Sequence, residues 1–353
     1  MMRGVRRLST KSLPAPRLFS YPEVTANLKP SIEIIDAVEQ AFGKLARNEV
    51  DVPIPMHIGG CSLSHCTALF TDLLGIHESA AAGPGDCHIK GGYIEGTKTW
   101  TVKLANVSFY KNLAKGLPAG SGIFIVCDAT NGGPLGIFQE NRYLTDLRTG
   151  AAGAISVKHF AAPHHRAVGF IGTGVIATAM AQATACVHKF EEGYAYGLDQ
   201  KQTESFANQL SKELGYPIKV CTTAEEAVRS SDVIFTQTPA SKQVLQLPWL
   251  RPHATIIASG SDQPTKNELP ADVMARSKFV CDLVRQCSRV GELRTAIEAG
   301  AMAEKDVYAE IGEVVNGVKK GRTGDELIVV DLTGTGAQDA AIGQVAWDVL
   351  SRL

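Results

Sequence analysis

The sequence predicts an α/β protein in which a Rossmann-type doubly wound parallel sheet is inserted into a second, β-rich α+β domain. Three observations carry this. A short apolar run, Val168 to Ile171, ends in Gly172-x-Gly174-x-x-Ala177 and leads into a small-residue helix pattern, Thr178 to His188. From Ala167 onward, strand-like and helix-like segments alternate, as a parallel sheet with crossover helices requires. Before Ala167, short β-like runs dominate instead. At 353 residues the chain has room for two domains, each with its own core.

The elements follow in order. Pro30-Ser31 and the stretch 32–48 read as a capped amphipathic helix. Strands are expected at 88–94, 100–105, 121–128 and 135–138, separated by turn residues. A helix over about 145–160 leads into the glycine-motif strand. Beyond it, strands are expected at 167–172, 193–199, 217–221, 232–238, 254–259 and 278–282, with helices near 175–190, 201–214, 223–230 and 268–276. A strand at 327–332 precedes a Gly-rich turn and a helix at 338–353. The expected units are therefore 156–326 for the nucleotide domain and 21–155 plus 327–353 for the other.

Residues 1–20 differ from the rest. Arg3, Arg6, Arg7, Lys11 and Arg17 come with Ser and Thr, and no acid precedes Glu23. This reads as a transit peptide, with the mitochondrial matrix expected ahead of a plastid or the cytoplasm. Arg17-Leu-Phe-Ser20 looks like a matrix-peptidase site cutting after Phe19. Net charge is −1, hydrophobic content 44% and charged content 20%. No global field favours nucleic acid or an anionic membrane, and no apolar run approaches a membrane span. The eight cysteines form no CxxC pair, so buried free thiols in a reducing compartment are expected. Cys61, His65 and Cys66 lack an evident fourth ligand, and no metal is expected.

The glycine motif has the strand–turn–helix context of a dinucleotide fingerprint. Gly172 turns the chain off the strand, Gly174 lets a pyrophosphate approach the backbone, and Ala177 lets the helix pack close. The helix N-terminus offers free N–H groups to phosphates. A second strand ends at Asp199, at the spacing of a ribose-binding carboxylate.

Four other segments carry side chains suited to chemistry. Lys103 stands alone in the apolar run Trp100 to Ala105; it either snorkels to solvent or serves a carbonyl, imine or carboxylate. Arg148, in Tyr143-Leu-Thr-Asp-Leu-Arg148-Thr149, either holds a substrate carboxylate or pairs with Asp146. Asp262, in Ser259-Gly-Ser261-Asp262-Gln-Pro-Thr-Lys266, follows the fifth strand, at the strand end where ligands bind. It is placed to exchange a proton with an amine, or to serve as a turn or cap residue. Leu332-Thr-Gly334-Thr-Gly-Ala-Gln-Asp339 is either a Gly-rich cap or a closure over the nicotinamide.

Together these segments resemble the ornithine cyclodeaminase/μ-crystallin family over roughly residues 25–350. The carriers are Val102-Lys103-x-x-Asn106 with Phe109-Tyr-Lys-Asn112, then Gly116-Leu-Pro118. Leu144-Thr-x-x-Arg148-Thr149-x-Ala151-Ala152 and Gly172-Thr-Gly-Val175 follow. Gly260-x-Asp262-x-Pro264-x-Lys266-x-Glu268-Leu269, Asp331-x-Thr333-Gly334 and Gln338-Asp339 complete the set. The resemblance implies an NAD(P)-dependent enzyme acting on the Cα–N bond of amino acids, homodimeric through its N-terminal domain. It implies that Lys103 and Arg148 bind the substrate carboxylate and that Asp262 is the acid/base at the amine. Thr149, Gly172, Thr173, Gly174, Val175, Ile176, Asp199, Ser261 and Gly334 would line the dinucleotide. An acid at Asp199 suits a free 2′-hydroxyl, so NAD (NADH) is expected over NADP.

The chain departs from the family in places. It has no arginine in Val52-Pro-Ile-Pro-Met-His57, where members often carry a carboxylate ligand. Cys66-Thr-Ala-Leu-Phe70 lacks the glutamate that ornithine cyclodeaminase places nearby, and Ile176 replaces a frequent glutamine. The expected activity is NADH-dependent reduction of an α-imino acid, of the iminosuccinate or cyclic ketimine class, reversible as amino-acid dehydrogenation. The alternatives are ornithine cyclodeaminase, an opine-type dehydrogenase and a non-catalytic μ-crystallin-like binder.

Overall fold

The computed structural model describes residues 12–59, 85–107 and 109–353. Two sheets organise them. The first contains β1 (Arg17–Phe19), β2 (Val50–Asp51), β3 (Met56–Gly59), β4 (Asp86–Ile94), β5 (Thr99–Val107), β6 (Ser121–Asp128) and β7 (Pro134–Gln139), in the order β1-β7-β6-β5-β4-β2, with β3 also on β4. The second contains β8 (Ala167–Ile171), β9 (Glu192–Tyr196), β10 (Ile218–Val220), β11 (Val233–Thr236), β12 (Thr255–Ala258), β13 (Lys278–Cys281), β14 (Ala309–Glu310) and β15 (Ile328–Asp331). Its order is β10-β9-β8-β11-β12-β15-β13-β14, and its pairs are parallel. The longer helices are α1 (Ile32–Ala46), α2 (Tyr143–Phe160), α3 (Val175–Thr184), α4 (Gln200–Leu214) and α5 (Gly336–Leu350). No described helix is long and apolar enough to cross a membrane.

Local chemistry explains these elements. Ser31 caps α1 by accepting from Ile34 N, and Ile34, Ile35, Val38, Phe42 and Leu45 form its buried face. Along β5, Thr99, Thr101, Lys103 and Ala105 are buried while Trp100, Val102 and Leu104 are half-exposed. That period of two marks a sheet covered on one face. By contrast β8, β11, β12 and β15 are buried at every residue, as strands covered on both faces must be.

Two expected boundaries are corrected. The segment 327–332 does not return to the first domain: β15 lies between β12 and β13, inside the parallel sheet. Helix α5 alone returns, packing on β4 and β5. The expected leader segment 1–20 also overlaps the fold, because β1 pairs with β7. Phe19 is 2% exposed and stacks on Phe138 at 4.7 Å, and Arg17 donates to Ser351 O. A cut after Phe19 would strip a packed edge strand from the sheet. Cys61, His65, Cys66 and the segment 66–70 lie outside the described residues.

Close backbone contacts join α2 to α3 across the domains and seat α5 on the first sheet. A Cβ on Gly150 of α2 would lie 2.5 Å from Ala179 O of α3, and one on Gly336 of α5 only 1.9 Å from Gly91 O of β4. Gly336→Ala is therefore expected to destabilise the fold by about 1–3 kcal/mol, read as a lowered Tm. An unchanged Tm would show that these backbones are not in contact.

Candidate active site

The glycine motif forms an open cradle. Gly172 has φ +97°, and a Cβ there would meet Thr238 and Gln237, so the turn requires glycine. A Cβ on Gly174 would meet nothing within 4 Å. Gly174 is the N-cap of α3 and supplies no side-chain cap, so the first N–H groups of that helix face this space. Val175 is exposed, and Ile176 packs against the core. Thr173 contacts Thr203 through its hydroxyl. Asp199 follows β9 and caps α4 by accepting from Gln202 N at 3.0 Å. This geometry fits a dinucleotide: free amide donors, an open backbone and an acid at the next strand end.

A charged cluster lies beside it. Lys103 and Lys90 oppose each other across β5 and β4, and both are buried. Asp339, fully buried in the first turn of α5, receives Lys103 Nζ at 2.8 Å and lies 3.2 Å from Arg148 Nε. Burial alone would raise the Asp339 carboxyl, but Lys103, Arg148 and Lys90 hold it low. Burial pulls the Lys103 ammonium down; Asp339 opposes this, while Arg148 and Lys90 add to it. Lys90 Nζ donates to Thr333 O at 3.2 Å and Gly334 O at 2.9 Å. Asp282 fixes the same turn by accepting from Thr333 N and Gly334 N. Gly334 has φ +76°, and a Cβ there would lie 2.5 Å from Arg148 Nη1, so glycine makes room for the guanidinium.

Asp262 sits on the loop after β12, where Lys266 Nζ reaches Oδ1 at 2.7 Å. Burial would raise its carboxyl, but Lys266, Lys90 and His88 outweigh burial and keep it ionised, well below the usual range. Ser261 Oγ lies 3.0 Å from Lys266 O, inside the loop. The Thr149 hydroxyl is committed to Thr145 O at 2.7 Å. Lys103 and Arg148 thus share one buried acid and Asp262 acts electrostatically on Lys90, whereas Thr149 bonds Thr145 O and Ser261 bonds Lys266 O and Val290 O. Sequence reasoning missed Lys90 and assigned Asp339 no role. Lys90 was findable: the tight connection at 95–98 between its strand and that of Lys103 places the two lysines opposite each other.

The entry to α2 is unusual. Asn141 and Arg142 both have positive φ, 46° and 74°. An L-residue pays about 1–2 kcal/mol for this conformation. The Arg142–Asp146 pair, at 3.7 Å and part-exposed, contributes less than about 1 kcal/mol, so it does not offset that cost. Glu140 Oε2 accepts from Leu144 N at 2.7 Å and caps the helix, while Oε1 is buried with no hydrogen-bond partner.

Known proteins share this architecture. The structure of Thermococcus litoralis Δ1-pyrroline-2-carboxylate reductase with NADH and L-proline superposes with a TM-score of 0.85 at 26% identity, covering 95% of this chain and 98% of that one. An archaeal alanine dehydrogenase dimer with bound NAD gives 0.83 at 30% identity, covering 96% and 97%. The iminosuccinate reductase of Paracoccus denitrificans with NAD+ gives 0.82 at 25%, covering 96% and 97%. The family model matches residues 78–352, and the chain belongs to the ornithine cyclodeaminase/mu-crystallin family.

Proposed function

We propose that the chain is an NADH-dependent reductase of an α-imino acid, of the iminosuccinate or cyclic ketimine class, reversible as an amino-acid dehydrogenase. One observation carries this: Lys103 and Arg148 converge on a single buried acid, with Lys90 alongside and Asp262 near Lys90. Bound NADH would supply the hydride. Lys103 and Arg148 would take the substrate carboxylate and hold its carbon at the strand ends. Lys90 would supply the positive charge that the segment 52–57 lacks. The ionised Asp262 would pair with the protonated imine nitrogen during reduction, and accept a proton from the amine during oxidation. That three structural relatives hold NADH or NAD supports the cofactor assignment.

The test is NADH oxidation by the purified chain with oxaloacetate plus ammonia, pyruvate plus ammonia or methylamine, and cyclic ketimines. Turnover with one of these is the expected result. No oxidation with any, alongside ammonia release from ornithine, would replace this reading with a cyclodeaminase. For the cradle, Gly174→Ala is expected to weaken NADH binding while leaving Tm in place, since its Cβ enters open space. Equal NADH affinity would remove the pyrophosphate from this site.

We also propose a homodimer through the outer face of the first sheet. Ile89, Tyr93, Trp100, Val102, Leu104, Ile123, Ile125 and Ile137 lie there half-exposed, next to the exposed Ile54, Met56 and Ile58. An apolar face of this extent fits a subunit contact. Light scattering should give twice the chain mass; a stable monomer would exclude it. We further propose a mitochondrial address with processing upstream of Arg17, which N-terminal sequencing of the imported chain would test; a chain that is not imported would exclude it.

A further inference from the structure

The first sheet sets the inner-face residues of the site in rows. Lys90, Lys103 and Phe124 form one row across β4, β5 and β6; His88, Ala105 and Gly122 form the next. Asp86 and Val107 begin a third, with Gly120 just ahead of β6. Successive rows are about 7 Å apart. Two glycines on the β6 side make room for side chains from the entry to α2. A Cβ on Gly122 would lie 2.2 Å from Glu140 Oε1, and one on Gly120 would lie 2.5 Å from Arg142 Cδ. On the β4 side, the Gln263 amide reaches His88 Nε2 at 3.1 Å. A substrate anchored at Lys103 and Arg148 would lie between the Asp262–Gln263 loop and the entry to α2, where the Glu140 carboxyl covers Gly122 and the Arg142 stem covers Gly120. Asp146 feels Arg142, Arg148 and Lys103 together, which puts the three cations around one region.

We propose that Arg142 reads the far end of the substrate and that this end is a second carboxylate, so the substrate is a dicarboxylic α-imino acid. This rests on the carboxylate-binding role given above to Lys103 and Arg148. The guanidinium Nε is buried with no hydrogen-bond partner. Among the described residues its ion pair is Asp146, at 3.7 Å. The backbone does not explain the residue, because φ 74° suits glycine better than arginine. The missing side chain at Gly120 leaves the space that the arginine fills. A planar fork of N–H donors matches a carboxylate in two parallel hydrogen bonds; a distal ammonium would meet a charge of its own sign.

The test compares kcat/KM for oxaloacetate plus ammonia with that for pyruvate plus ammonia, in the wild-type chain, Arg142→Gly and Arg142→Lys. The wild type is expected to favour the dicarboxylic imine. Arg142→Gly should lower the dicarboxylic-to-monocarboxylic ratio at least tenfold, mainly through KM. Its Tm should hold or rise, since glycine relaxes the left-handed backbone. Arg142→Lys should recover part of the ratio. A ratio that Arg142→Gly leaves intact would overturn this inference alone. A wild type that reduces neither imine would overturn it together with the reductase reading.

Discussion

Asp262→Asn is expected to lower kcat by about 10²–10⁴ while leaving the Kd for NADH within about twofold. The asparagine keeps the size of the side chain and an oxygen for Lys266, so the loop is preserved. What disappears is the negative charge. In the native site that charge survives against burial because Lys266 is 2.7 Å away and Lys90 and His88 add to it. A carboxylate held this low does not protonate as pH falls from 7 to 5, so activity lost in that range comes from another group. The measurements are kcat with saturating substrate and NADH titration by fluorescence. A fall in kcat below tenfold, or a matching loss of NADH affinity, would make Asp262 a loop residue and move the proton chemistry elsewhere.

The parallel sheet is legible in the sequence because strands buried on both faces become unbroken apolar runs, such as Val168 to Ile171 and Ile256 to Ala258. The place of β15 is not legible, since strand order depends on long-range pairing and Ile328 to Val330 would suit either sheet. At the site, Lys103 stands out as one cation within an apolar strand. Lys90 is masked by the glycines beside it, although the hairpin register places it opposite Lys103. The role of Asp339 depends on a contact across 236 residues of chain, and no local pattern encodes that. The strain at Arg142 is invisible for another reason: positive φ is announced by glycine or asparagine, and arginine signals nothing of the kind.

Asp339→Asn should raise KM by about two orders of magnitude and move the alkaline limb of kcat/KM to lower pH by at least about one unit, given that a pKa unit is worth about 1.4 kcal/mol. Asp339 is the counter-ion that Lys103 and Arg148 share, at 2.8 and 3.2 Å. Both cations are nearly fully buried, and Lys90 lies close by. Removing one partner from a buried ion pair costs about 3–5 kcal/mol unless another group adjusts. Arginine keeps its proton, but lysine can release one. Burial, Arg148 and Lys90 already pull the Lys103 ammonium down, and Asp339 is the largest influence holding it up. In the variant Lys103 is therefore neutral at neutral pH and no longer attracts a carboxylate. The stability effect has a definite sign. With the folded-state pKa depressed below the unfolded one, the unfolded chain binds more protons, so stability rises with pH between the two values. The Tm deficit of Asp339→Asn should thus be largest in acid and shrink toward alkaline pH. Adding Lys103→Met should recover Tm by removing the stranded amine, yet leave activity lost. A purely structural aspartate would lower Tm without moving the pH limb, and that pattern would refute the counter-ion role.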